Sequence, residues 1–284
     1  MKHSVYIYIL LIINVLIGCS EDIDLELSST ASHLVVDGHL YDVPSDLNFV
    51  RLTMSTDYFQ NQPSPVVHGA NVVVSDGVND YQFVENEAYG YYEAPTLFAA
   101  EHGRTYTLTI SGIDTNADGE LETYTASSAT PPTYVVDSAQ CVYDDFFDAY
   151  RVKLFAPEDT ASTDFYMFGI ALNDSLISTS YTTYALTDDK WFTSDYCWGA
   201  TVYLFSDEDL SHGEVSVGDK VTLISMSVTE EFFNYVSALG DITYGSNPMF
   251  SSTPANAIGN ISGDALGFFT VMAVVQTSCE VRKE

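Results

Sequence analysis

The residues whose types and spacing most directly suit chemistry are Asp114, Asn116, Asp118, Glu120 and Glu122. In Asp114-Thr115-Asn116-Ala117-Asp118-Gly119-Glu120-Leu121-Glu122, oxygen-bearing side chains alternate and a glycine stands sixth, matching the first half of a D-x-[DN]-x-[DN]-G calcium loop. That spacing turns Asp114, Asn116 and Asp118 toward one ion. Glu120 then offers its backbone carbonyl, and Glu122, ninth in the run, a carboxylate or a bridging water. The twelfth position is Thr125, so the bidentate acid that closes an EF-hand is missing. The expected affinity is that of weak extracellular sites, on the order of 10⁻⁴ to 10⁻³ M. The same residues also suit a polar hairpin tip with Asn-Ala-Asp-Gly as its turn. Calcium is the one cofactor suggested, and none is required.

A second reactive position is Cys19. Lys2 and His3 open the chain, and Val5 to Ile17 is apolar except for Asn14. A bilayer-spanning helix needs roughly 20 apolar residues, so this run suits a signal-peptide core better than an anchor. Leu16-Ile17-Gly18-Cys19 closes it and resembles a bacterial lipobox. The resemblance implies a thioether lipid on the Cys19 thiol, cleavage after Gly18, further acylation of the palmitate type, and membrane attachment through acyl chains. Residues 1–18 are then the signal peptide. Residues 19–27, with Ser20-Glu21-Asp22-Ile23-Asp24-Leu25-Glu26, form an acidic tether similar to the surface-export signals of Bacteroidetes lipoproteins, or a plain solvated linker.

Other catalytic patterns are missing from the sequence. The six histidines make no H-E-x-x-H or other paired metal spacing, and there is no G-x-S-x-G, P-loop or G-x-G-x-x-G. A glycosidase needs only two suitably separated acids, so 40 carboxylates make any single pair uninformative. Asp144-Asp145 and Asp188-Asp189 read as solvated surface. Trp191-Phe192, Tyr196 and Trp198 cluster around Cys197 and suit either a sugar-stacking platform or strand core and loop anchoring. Beyond Cys19, the cysteines are Cys141, Cys197 and Cys279, an odd number for an oxidising compartment. One disulfide plus one buried thiol is the simplest arrangement, with Cys197–Cys279 the favoured pair because both lie near strands of the second half.

The chain has 284 residues with 9 Lys and Arg against 40 Asp and Glu, a net charge of −31. Loss of residues 1–18 removes one Lys and no acid, which makes it −32. Such a field excludes nucleic acid and anionic lipid surfaces as natural partners. With 20 Tyr and abundant Val and Thr, the composition favours β structure. Short strands are expected at Leu34–Val36, Phe49–Met54, Ala70–Val74, Tyr81–Val84, Tyr91–Ala94, Thr105–Ile110 and Glu122–Ala126, with Tyr106, Leu108 and Ile110 inward at period two. About seven strands so closely spaced point to a two-sheet sandwich over residues 28–132. Pro131-Pro132 marks its exit.

Residues 133–284 form a second, mostly antiparallel β domain. Strands are expected at Tyr150–Phe155, Asp164–Leu172, Tyr181–Leu186, Ala200–Phe205, Glu214–Val228 and Gly267–Gln276. Ser227-Val228-Thr229-Glu230 fits a capping box, and Phe232, Phe233, Tyr235, Val236 and Leu239 then give one short helix near 229–239 that plugs a sandwich end or covers a sheet edge. In the loop before the last strand, Asn256 and Asn260 suit backbone bonding within the loop or contact with a partner.

His68-Gly69-Ala70-Asn71-Val72-Val73-Val74, Gly90-Tyr91-Tyr92 and Gly103-Arg104-Thr105-Tyr106-Thr107-Leu108 resemble the Ig-like sandwich of transthyretin-like and carboxypeptidase-regulatory-like domains. Leu34-Val35-Val36-Asp37-Gly38 with Val50-Arg51-Leu52-Thr53, and the Asn-rich loop running into Gly267-Phe268, resemble the domain-of-unknown-function family 4249. The resemblance implies an outer-membrane lipoprotein of the Bacteroidetes kind, lipid-anchored and facing the cell exterior. It further implies a non-enzymatic accessory of a TonB-dependent outer-membrane receptor in nutrient capture or gating. A surface-displayed glycan-degrading enzyme, and an adhesin or structural lipoprotein, are the alternatives.

Overall fold

The computed structural model describes residues 32–56, 62–87, 89–210, 213–244 and 257–283. Cys19, the acidic tether and Asn256 lie outside these residues.

Among the described residues the fold is all-β with one α-helix. In the first half, β1 (Leu34–Tyr41), β2 (Phe49–Met54), β3 (Asn71–Ser75), β4 (Asp80–Asn86), β5 (Tyr91–Glu93), β6 (Thr105–Ile113) and β7 (Glu122–Ala129) follow in turn. Alternation of apolar and polar residues produces them: along β1 every second residue is buried, and Tyr106, Leu108 and Ile110 of β6 are fully buried as the pattern requires. β4 bends between two sheets, pairing β3 through Asp80–Phe83 and β5 through Val84–Asn86. The result is a sandwich: Val36, Leu40, Val50, Leu52 and Tyr92 of one sheet face Val72, Val74, Phe83, Leu108 and Ile110 of the other.

The second half holds β8 (Ser138–Asp144), β9 (Ala149–Pro157), β10 (Phe165–Leu172), β11 (Ser175–Leu176), β12 (Ala185–Asp188), β13 (Tyr196–Phe205) and β14 (Lys220–Val228), then helix α1 (Glu230–Tyr244) and β15 (Leu266–Arg282). β13, β9 and β8 form one layer and β10, β14 and β15 the other. Val152, Leu154, Phe168, Ile170, Val221 and Leu223 lie between them. α1 covers the outer face of β10, β14 and β15 with Phe232 and Val236 against Met167, Met226 and Met272. It covers a sheet face, not a sheet edge. Its first turn is capped by Thr229, whose Oγ1 accepts the Phe232 N–H at 3.3 Å, while Ser227 stays buried in β14. Residues 181–183 are a short 3₁₀ turn, not the start of a strand. Among the described residues no helix is long and apolar enough to cross a membrane.

β15 belongs to both halves. It pairs in parallel with β1 through Leu266–Met272, antiparallel with β14 through Ala273–Glu280, and in parallel with β8 through Val281 and Arg282. A division at residue 132 therefore separates the first sandwich from a strand that supplies Phe269 and Val271 to its core, and residues from Ser32 onward form a single compact unit.

The loop before β15 stitches it to β7. Asn260 Nδ2 donates to the carbonyls of Phe269 (2.8 Å) and Ser127 (3.2 Å), and Asn260 Oδ1 accepts the Phe269 N–H at 2.9 Å. Asn260 thus spends its amide inside the chain, not on a partner.

The three described cysteines are free thiols. Cys197 donates its S–H to the Leu154 carbonyl across the β13–β9 pair at 3.3 Å, while Cys279 lies in β15 opposite Val221 of β14. The expected Cys197–Cys279 bond is not formed: both thiols are free, and that of Cys197 is turned to the Leu154 carbonyl. The thiol whose ionisation Cys279 affects is Cys141, which burial pushes up to about 12.

At Gly267, φ is +100°, and a Cβ there would stand 1.9 Å from the Val36 carbonyl oxygen. The β1–β15 pairing requires glycine at that point. Gly267→Ala is expected to cost about 3 kcal/mol or more, read as a lower urea midpoint. A loss below about 1 kcal/mol would show that the contact relaxes.

Candidate functional site

The oxygen-rich loop lies at the tip of the β6–β7 hairpin, so a hairpin tip and an acidic loop are the same object. A register shift between Ser111 and Ile113 in that pair redirects β6 just before the loop, and Ala117 and Gly119 take positive φ to bend it. Carboxylate oxygens of Asp114, Asp118 and Glu122 lie within 4.8 Å of one another. The loop braces itself by accepting backbone N–H groups. Asp114 Oδ2 takes that of Gly119 (2.9 Å), Asn116 Oδ1 that of Asp118 (2.9 Å), and Asp118 Oδ1 that of Glu120 (2.8 Å). Glu122 Oε2 is held by the Thr115 N–H at 2.7 Å and its hydroxyl at 3.1 Å, and the hydroxyl also meets Tyr124.

Each of the three acids retains a second oxygen, and Asn116 stands at the same turn. The donor set is hard oxygen and fits calcium better than a softer transition metal. Thr125 cannot complete it, since its N–H goes to Ser262 Oγ and its carbonyl accepts the Ser262 N–H, both at 2.8 Å. Glu120 is exposed.

A second acidic group was not legible in the sequence. Glu158, at the end of β9, Asp164, before β10, and Asp189, after β12, bring carboxylate oxygens within 4.8 Å of one another, all three half-buried. Asp189 Oδ1 accepts the Asp164 N–H at 2.8 Å, Asp164 Oδ2 accepts the Ser162 hydroxyl at 3.1 Å, and Glu158 Oε1 accepts the Tyr166 hydroxyl at 3.3 Å. Burial, the hydrogen bond to Asp189 and the charge of Asp189 together push Glu158 up to about 7. Asp189 is therefore not the solvated surface acid that the Asp188-Asp189 pair suggests. Asp144, likewise, is engaged by Arg151 at 2.9 Å.

The aromatic cluster divides. Trp191 and Phe192 line a cavity of about 420 Å³ together with Glu158, Asp189, Tyr134 and Tyr166. Tyr196 and Trp198 pack on each other at 4.3 Å between ring centroids, on the face of β13 opposite Cys197, and the Tyr196 hydroxyl donates to Asp137.

A family model described as a domain of unknown function, DUF4249, matches residues 20–278. The chain belongs to the DUF4249 family. The DUF4249 match takes in both layers of both halves and nearly all of β15, in agreement with a single unit built across residue 132. It also contains both acidic groups. No curated protein matches the chain.

Two outcomes follow. A ligand held only by the folded state stabilises it by about 1.4 kcal/mol at ten times Kd. Calcium at millimolar concentration is expected to raise Tm by a few degrees, magnesium less, and the rise should vanish in Asp114→Ala and Asp118→Ala. Equal shifts in wild type and variants would leave the loop a hairpin tip. At the acid pair, a carboxyl held near 7 in the folded chain but in the usual range when unfolded makes folding less favourable as pH rises through that window. Glu158→Gln is expected to melt a few degrees above wild type at pH 8 and with little difference at pH 5. Parallel melting curves at both pH values would contradict the shared proton.

Proposed function

We propose that this protein is a non-enzymatic lipoprotein of the outer membrane, anchored through Cys19, facing the cell exterior, and working beside a TonB-dependent receptor in nutrient capture or gating. The observation that carries the reading is the meeting of two features at adjacent residues: the apolar leader ends in Leu16-Ile17-Gly18-Cys19, and the family match opens at Ser20. A folded β body beginning shortly behind a lipidated cysteine is the layout of a tethered module. The acidic segment Glu21 to Glu26 supplies a solvated spacer between lipid and body. The strongly negative field favours a partner or cargo that is neutral or cationic.

The acid pair does not suit glycoside hydrolysis. That reaction sets its carboxyls about 5 Å apart or more, across a sugar ring, whereas Glu158 and Asp189 are hydrogen-bonded to each other.

Labelling cells with a clickable palmitate analogue tests the anchor. Wild type is expected to carry label and sediment with outer membranes, and Cys19→Ser to lose both. Retained label in Cys19→Ser would remove the anchor. Cross-linking on intact cells then tests the partner, with a TonB-dependent barrel the expected product and its absence the contrary result.

A further inference from the structure

We propose that the cavity beside Glu158 and Asp189 binds an organic cation, a protonated amine carrying an apolar body. The proposal goes beyond the function above and is independent of where the protein is anchored.

The cavity, of about 420 Å³, is walled by Tyr134, Tyr166, Phe168, Trp191 and Phe192, with Glu158 and Asp189 as carboxylates in the same wall. Tyr134 and Tyr166 pack together at 4.8 Å between ring centroids, which fixes one aromatic side. Asp189 Oδ2 is fully buried and, with Glu158 ionised, has no donor on it; a proton on Glu158 supplies one. Glu158 and Asp189 thus bring two carboxyls that share a proton to the cavity wall.

Ligand classes separate on this chemistry. An anion meets two carboxylates and is repelled. A neutral apolar molecule covers two carboxylates and gives them neither a donor nor a countercharge. A bare divalent ion wants six to eight oxygens, and aromatic faces offer none. An ammonium group gives N–H donors to the acids and a positive charge to the ring faces. The chain itself provides an example at the rim, where Lys190 Nζ stands 5.5 Å from the Trp191 ring centroid.

The other titratable groups around Glu158 are Asp159 and Asp164 in the loop before β10, Tyr166 of β10, Tyr134 of the segment before β8, and Cys197 of β13. Asp188, at the end of β12, lines the same cavity. These are acids, phenols and a thiol; Lys190, next to Asp189 in the chain, brings a positive charge to the rim, where it lies over the Trp191 ring. Amine binding therefore strengthens as Glu158 ionises.

The test is calorimetric titration of the purified full chain at 0.15 M NaCl with phenethylamine, its neutral counterpart 2-phenylethanol, and calcium chloride. Phenethylamine is expected to bind about tenfold more tightly at pH 8 than at pH 6, the ratio of ionised Glu158 for a group titrating near 7. Glu158→Gln should weaken binding at pH 8 at least tenfold. So should Trp191→Ala, whose side chain is 85% exposed and whose loss leaves the core intact. Asp145→Asn, at an exposed acid in another turn, should bind as wild type. Equal affinity for 2-phenylethanol, or no phenethylamine binding at 10 mM at either pH, would overturn the proposal. It would equally be overturned if, in an Asp114→Ala background, calcium binding disappeared on Glu158→Gln while phenethylamine binding did not.

Discussion

One strand holds this molecule together. β15 has 17 residues, a length of roughly 55 Å, and pairs in turn with β1, β14 and β8. Its first third completes the core of one sandwich through Phe269 and Val271, and its middle closes the layer that carries α1. A parallel pair cannot be joined by a tight turn, so the β1–β15 ladder exists only because some 220 intervening residues return the chain to its start. Gly267 lets the two backbones approach, and Asn260 imitates a neighbouring strand by donating to and accepting from Phe269. A second tie joins the halves away from β15. Asp37 of β1 accepts the Tyr181 hydroxyl at 2.8 Å and lies 2.6 Å from His39 Nε2, while Tyr181 packs edge-on against Phe232 of α1.

The abundance of acid is managed by local geometry more than by ion pairs. Asp76 is the clearest case. The N–H groups of Asn79 and Val78 and the Tyr81 hydroxyl converge on it, with Arg104 at 3.3 Å, and hold its carboxyl at about 2. Glu158 is the opposite, a carboxyl beside another carboxyl with burial and no base, and it keeps its proton near neutrality. The same residue type thus serves as a fixed turn anchor in one half and as a titrating group in the other. Donor count and burial make the difference.

Much of the first half was legible, because its strands alternate cleanly. The period-two pattern of Tyr106, Leu108 and Ile110 places them at zero exposure, and the glycine turns fall where strands end. The second half was less so. β10 is buried on both faces, with Phe168 and Ile170 toward one core and Met167 toward α1, so it reads as a continuous apolar run without a face. β8, with Ser138, Gln140 and Asp144 among its seven residues, lacks the apolar density that marks a strand, yet its Cys141 is fully buried. The calcium-like loop could be found because its residues are contiguous. The Glu158–Asp189 pair could not, because 31 positions separate its members and nothing in either neighbourhood distinguishes them from the other acids.

The distance along the chain between β1 and β15 also governs the order of events during synthesis. A ribosome delivers the N-terminal end first, yet the edge of β1 must wait for Leu266 to Met272 before it has its parallel neighbour. Contacts at such sequence separation close slowly. Until they close, the first sandwich lacks two core side chains and leaves a row of backbone groups without a ladder. The first sandwich is thus held back from its final packing until Leu266 to Met272 have been made.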